Sequence, residues 1–260
     1  VNLGLAGRAA FVAASSRGLG LATARHFAGE GADVAMCARD AASLEQAAAT
    51  VREAGTRVVA HPCDLTDAAQ ITDVVARSAA ELGRLDMLIV NAGGPRPGGF
   101  ETLDDDAWRD AFELTVLSAV RLVRAALPHL RASDAASILF ISSYSVRQPI
   151  PGLTLSSSLR AAIPGLAKSL AVELAPSIRV NTLLPGNIST DRSVELARAR
   201  ATDGRSVEDV MAESAAAVPL RRYGTPDEFA SAAVFVSSPA ASYITGTAIP
   251  VDGGLIRATM

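Results

Sequence analysis

The stretch Ala9 to Arg39 restricts the fold most, because a strand pattern, a small-residue turn, a helix pattern and a second strand pattern follow one another within it. The apolar run Ala9 to Ala14 has strand character and gives way to Ser15, Ser16, Arg17, Gly18, Leu19 and Gly20. Leu21, Ala24 and Ala28 then recur at helical spacing, and Gly31 stops them. Glycines in such a turn let a bound group approach the main chain, and the free N–H groups of the helix start favour an anion. Nineteen residues after Gly20 comes Arg39, where dinucleotide-binding units choose between a ribose hydroxyl and a phosphorylated ribose. An acidic side chain there would hold the hydroxyl, whereas Arg39 and Arg17 offer two guanidinium groups to a 2′-phosphate. The segment therefore points to NADP(H) in preference to NAD(H). The plainer alternative is a tight turn flanked by two solvated arginines.

Beyond Arg39 the same alternation continues. Helix patterns over Ala42 to Ala54 and Ala68 to Leu82 close on Gly55 and Gly83, with a strand pattern Arg57 to His61 between them. Further strand patterns cover Asp86 to Val90, Ala136 to Ser142 and Arg179 to Leu184, separated by a long helix over Asp106 to Ala132 and another near Ser157 to Leu174. Repeated β-α units predict one doubly wound, Rossmann-type α/β domain over residues 1–260, a parallel sheet of about seven strands with helices on both faces. Ligands in such sheets bind beyond the carboxyl ends of the strands. The polar, helix-prone segment 189–219 is long for a connection and reads as a substrate lid. Thr225-Pro226-Asp227-Glu228 is a capping box with proline at the first helical position.

A net charge of −3 gives no electrostatic case for nucleic acid. The longest apolar runs, such as Ala136 to Ile141, are too short to span a bilayer, and no charged-then-apolar leader opens the chain, so a soluble cytoplasmic protein is expected. Cys37 and Cys63 have no metal-ligand or redox spacing and are expected to be reduced thiols. No metal site is expected, and His26, His61 and His129 all read as surface or packing residues.

From Leu5 to Leu255 the chain resembles the short-chain dehydrogenase/reductase family. The resemblance rests on the Ser15 to Gly20 turn, Cys63-Asp64-Leu65, Asn91-Ala92-Gly93, Ile141-Ser142-Ser143, Arg179-Val180-Asn181 with Pro185-Gly186, and Val251 to Gly254, in the family's order and spacing. It implies that Asp64 and Leu65 meet the adenine ring, that Asn91, Ala92 and Gly93 serve the central strand and cofactor ribose, and that Pro185, Gly186 and Ile188 meet the nicotinamide carboxamide. Asp64 could instead cap a turn, and Asn91 could tie two strands together. The resemblance also implies a small carbonyl or alcohol substrate. It further implies a homodimer or homotetramer paired through the helices holding Asp106 to Ala132 and Ser157 to Leu174.

Two departures stand out. Where the family usually has Thr-Gly, this chain has Ala13-Ala14, which costs little unless the backbone there needs a positive φ. The family's catalytic Asn, Ser, Tyr and Lys fall on Thr115, Ser143, Ser156 and Arg160, so one of the four is kept. Serine ionises far less readily than tyrosine, whose ordinary pKa is about 10. Arg160 keeps its charge and can bond the nicotinamide ribose or steady an oxyanion. Tyr144 is the substitute acid to consider, although neighbours on a strand point to opposite faces unless the chain has already turned. Pro164 leaves the carbonyl of Arg160 without its helical partner, so it either bends the helix to aim Arg160 into the site or begins a new helix. Three functions follow: an NADP(H)-dependent ketone reductase or alcohol dehydrogenase with an atypical proton route, a non-catalytic NADP-binding sensor or assembly partner, and an elimination or isomerisation using Ser143 and Arg160 for charge stabilisation. Arg96, Arg147, Arg192, Arg198 and Arg200 could favour an acidic or acyl-carrier-linked ligand, or be solvated surface charge.

Overall fold

The computed structural model describes residues 2–201 and 204–258. Seven strands form one parallel sheet in the order β3-β2-β1-β4-β5-β6-β7. They are β1 (Ala9–Val12), β2 (Asp33–Ala38), β3 (Val58–Pro62), β4 (Met87–Val90), β5 (Ala136–Ile141), β6 (Ile178–Pro185) and β7 (Ala248–Val251). The helices between them are α1 (Gly18–Gly29), α2 (Ala41–Arg52), α3 (Ala68–Leu82), α4 (Asp105–Phe112), α5 (Ser118–Leu130), α6 (Thr154–Arg160), α7 (Ala162–Glu173), α8 (Asp191–Arg200), α9 (Val207–Ala216) and α10 (Pro226–Ser237). The doubly wound expectation holds, and the strand order reverses between β1 and β4, which is where such sheets open a ligand crevice.

Alternation along the strands builds two cores. Ala9 and Phe11 of β1 face one side, packed with Ile71 and Val75 of α3, Leu122 of α5 and Ile163 of α7. Ala10 and Val12 face the other, packed with Phe27 of α1, Leu44 of α2 and Phe229 of α10. Covering both faces explains why these strands are apolar throughout rather than alternating. The buried Cys37 and Cys63 are free thiols, and their mutual hydrogen bond together with burial pushes the Cys37 thiol up.

The two long helix patterns are each interrupted. The pattern read over Asp106 to Ala132 is α4 and α5 joined by a wider π turn, Glu113–Leu117, which carries Thr115. The pattern near Ser157 to Leu174 is α6 and α7, separated at Ala161. Pro164 is the third residue of α7, where a missing N–H is tolerated.

At the opposite, amino-terminal edge of the sheet lies an unexpected buried charge. Asp86 accepts from the Ala9 N–H at 2.8 Å, from Arg84 Nε and Nη2 at 2.7 Å each, and from Ser133 Oγ at 2.6 Å. Burial pushes its pKa up, but these donors outweigh burial and hold it below the usual aspartate value. No helix among the described residues is long and apolar enough to cross a membrane, and no group of His, Cys, Asp or Glu among them could hold a metal ion.

Candidate active site

The turn from Ala13 to Gly20 runs over the carboxyl ends of β1, β2 and β4, with Ala13 N–H donating to Ile89 at 3.1 Å and Ser15 N–H to Cys37 at 3.0 Å. Ala14 has φ +49°, so the backbone does need the left-handed region and the alanine is strained there. For a non-glycine residue this conformation costs roughly 1–2 kcal/mol. Two features hold the strain in place. Asn91 Nδ2 donates to the carbonyls of Ala13 and Ala14 at 3.3 Å each, tying β4 to the turn. Gly20 packs against the same Ala14 oxygen, since a Cβ on Gly20 would stand 2.3 Å from it.

This turn fits a nucleotide phosphate. Helix α1 starts at Arg17 with no side-chain N-cap, leaving its first N–H groups for an outside acceptor. Arg17 is exposed and stands 3.9 Å from Asp191 and 3.8 Å from Glu195. Arg39 is exposed at the end of β2 and has no acidic partner among the described residues. Both arginines thus flank the turn from different strand ends, with Ser16, Gly18 and Leu19 partly accessible between them.

The other residues expected to meet the cofactor divide by what their side chains already do. Asp64 Oδ1 accepts from Thr66 N–H and Oγ1 at 2.9 and 2.8 Å, so it closes a turn whatever else it meets. Leu65 is buried in the core, and Ala92 packs against that core. Pro185 ends β6, and Gly186 donates to Val251 at 3.0 Å while leaving only 2.6 Å between an added Cβ and Asp252. Ile188 is buried beside Gly224 through an isolated bridge.

Thr190 escaped the sequence reading. It caps α8 with a full capping box and lies over the phosphate turn, where a Cβ on Gly18 would meet its methyl at 3.7 Å. The Ser-Thr-Asp run before a helix pattern was the available signal.

At the ends of β4 and β5 stands Arg160. Its guanidinium donates to the carbonyls of Ile141 and Ser142 at 3.4 Å and of Gly93 at 3.3 Å. Its own carbonyl, which Pro164 cannot bond, accepts from Ser142 Oγ at 3.2 Å. Ser142 therefore holds Arg160 at both ends, and the break at Ala161 lets the head reach the cleft. Burial, with a smaller contribution from Arg192, pushes the Arg160 pKa down to about 10, so it stays charged at neutral pH. Beside it is a cavity of about 10 Å³, lined by Asn91, Thr115, Ser118 and Phe140 among others. The Thr115 hydroxyl is buried there with no hydrogen-bond partner.

Ser143 Oγ accepts from the Ser145 N–H at 3.1 Å, which leaves its own proton free to donate. Ser156 is half-buried on α6, one turn before Arg160, and its hydroxyl has no protein partner among the described residues. The chain has turned by Tyr144, which opens a short 3-10 turn, so strand alternation does not place this side chain. Burial raises the Tyr144 pKa, with Arg200 opposing and Tyr223 reinforcing it. A phenol shifted that way is a poorer acid near neutral pH.

The family model described as "Enoyl-(Acyl carrier protein) reductase" matches residues 13–256. The chain belongs to the short-chain dehydrogenase/reductase family. Human dehydrogenase/reductase SDR family member 4 is 33% identical over 252 residues, covering 96% of this chain and 88% of that protein. Among solved members of the family, L-sorbose reductase from Gluconobacter frateurii, complexed with NADPH and L-sorbose, superposes with a TM-score of 0.94 at 32% identity, covering 99% of this chain and all of that one. An NADPH-bound short chain oxidoreductase from Pseudomonas aeruginosa, described as containing an atypical catalytic center, superposes with a TM-score of 0.89 at 35% identity, covering 97% and 98% of the two chains.

Proposed function

We propose that this member of the family is an NADP(H)-dependent ketone reductase or alcohol dehydrogenase that works without the tyrosine-lysine pair. The observation that carries the reading is the placement of Arg160, a charged head fixed at the Gly93 and Ser142 carbonyls where the strand order has opened the crevice. Arg17 and Arg39 flank the uncapped start of α1 and favour a 2′-phosphorylated ribose. The bound cofactor supplies or accepts the hydride. Ser143, its oxygen already occupied by the Ser145 N–H, donates a hydrogen bond to the carbonyl oxygen and orients it. The Arg160 charge steadies the oxyanion that develops, and the proton comes from water at the half-buried Ser156. Segment 189–219 acts as the substrate lid, of which α8 already reaches the phosphate turn through Thr190 and the neighbouring loop through Arg192. The NADPH-bound relatives support the cofactor, and the relative with an atypical centre supports chemistry without the usual residues.

The test follows absorbance at the nicotinamide band while cofactor-depleted protein is given NADPH or NADH and a ketone panel. Turnover with NADPH is expected to survive Tyr144→Phe. Arg39→Asp is expected to lower the NADPH-over-NADH preference by roughly ten- to a hundredfold, the worth of one charge-assisted contact. Tight NADPH binding with no turnover on any ketone or alcohol would overturn the enzyme in favour of a cofactor sensor.

A further inference from the structure

The charges around the cleft constrain the substrate's second functional group. Among the described residues Arg160 has only main-chain carbonyls as acceptors, all at 3.3 Å or more, and its one charged neighbour of consequence is another cation, Arg192. Arg192 comes from α8 and crosses to the loop after β4, where Nη2 donates to the Pro95 carbonyl at 2.8 Å. Its guanidinium lies against Gly94, because a Cβ there would come within 3.0 Å of Nε and Nη2. Glycine at 94 is what admits it. Two guanidinium groups therefore meet one short stretch of main chain, Arg160 at Gly93 and Arg192 at Gly94 and Pro95.

Among the described residues the only carboxylate paired with either arginine is Glu195, 3.4 Å from Arg192 Nη1, and Glu195 is shared with Arg17 at 3.8 Å. Like charges held close in a partly dry cleft destabilise each other, and an anion between them offsets that cost. The cofactor's phosphates belong elsewhere, at α1, Arg17 and Arg39 beyond β1 and β2. Arg160 stands at the ends of β4 and β5, where the hydride-transfer reading puts the nicotinamide. A planar carboxylate matches the fork of a guanidinium and can accept from both heads at once.

We propose that Arg160 and Arg192 together receive a carboxylate, so that the substrate is an oxo acid or the corresponding hydroxy acid. The proposal rests on the hydride-transfer reading above and deepens it. In the reductive direction a hydride adds to the oxo carbon, the C=O π pair moves to oxygen and takes a proton from water, and NADPH leaves as NADP⁺. The carboxylate is unchanged and serves as the handle. Gly94 and the lid arginine then act as one specificity device.

The experiment compares kcat/KM for α-, β- and γ-oxo acids with those for their methyl esters. One acid is expected to exceed its ester by about tenfold or more, the effect of one hydrogen bond to a charged group. Arg192→Gln is expected to erase that preference, mainly through KM, while Arg198→Gln on the same helix leaves it in place. Equal use of acid and ester, or a preference that survives Arg192→Gln, overturns the proposal. A second measurement separates it from the hydride reading. The hydroxy acids are titrated into the enzyme–NADPH complex, where no hydride can move, with nicotinamide fluorescence as the readout. Binding that Arg192→Gln weakens by about tenfold, without turnover of any oxo acid, keeps the anion site and overturns the hydride reading. No binding and no acid preference overturns the anion site.

Discussion

Replacing Arg160 with methionine should leave the ligand-free protein as stable as before or slightly more so, while damaging cofactor binding and turnover. Holding a guanidinium whose pKa burial pushes down to about 10 costs the folded state about 3 kcal/mol. Against this stand three hydrogen bonds to Gly93, Ile141 and Ser142, all at the long end of the range at 3.3–3.4 Å. Such bonds contribute roughly 0.5–1 kcal/mol each, about 2 kcal/mol together. Methionine fills a similar length without a charge, so Arg160→Met should gain on the order of 1 kcal/mol, about 2–4 °C in Tm for a chain of this size. If Arg160 bonds the nicotinamide ribose, NADPH affinity should fall roughly tenfold or more. Urea and thermal unfolding of the ligand-free variant, paired with NADPH titration by fluorescence, measure both halves. A loss of more than about 2 kcal/mol in the ligand-free protein would refute the reasoning, because Arg160 would then be a strut between β4 and β5 rather than a charge kept for function.

Ala14→Gly should stabilise the protein by about 0.5–1 kcal/mol, the left-handed strain relieved less the extra entropy of unfolded glycine, as read from denaturant midpoints. Asp86→Asn should cost about 2–3 kcal/mol, below the full value for breaking a buried pair because Arg84 is 43% exposed. The Asp86 pKa lies below its ordinary value of 3.8, so its stabilisation is present above that value and is lost as pH falls through the folded value. The gap between wild type and Asp86→Asn should therefore narrow in acid unfolding series below about pH 4. Pro164→Ala supplies the N–H that the Arg160 carbonyl lacks and competes with Ser142 Oγ. It should leave Tm unchanged or higher while raising KM for NADPH several-fold, and an unchanged KM would remove Pro164 from the positioning of Arg160.

The short patterns carried the architecture because they report main-chain needs directly. A run such as Ala9 to Val12 followed by Gly18 and Gly20 leaves few options other than a strand, a tight turn and a helix, and its repetition requires a parallel sheet with both faces covered. The same local logic found the break near Pro164, since a missing N–H is a property of the residue itself. Contacts between distant segments were out of its reach. The strain at Ala14 is visible only through its φ and through Asn91 and Gly20, which approach it from β4 and α1. Asp86 read as the start of a strand, yet it gathers Ala9, Arg84 and Ser133 from three places in the chain.

By itself, then, the sequence determined the order of elements, the family and which residues follow each strand, because each is a matter of spacing along one chain. Only the tertiary structure decided what those residues meet. It placed Arg160 between the ends of β4 and β5, gave Tyr144 a burial that raises its pKa, and brought Arg192 across from α8 to Gly94. Hydrogen bonding and desolvation depend on neighbours in space, and residues 93, 142, 160 and 192 become neighbours only when the sheet has formed.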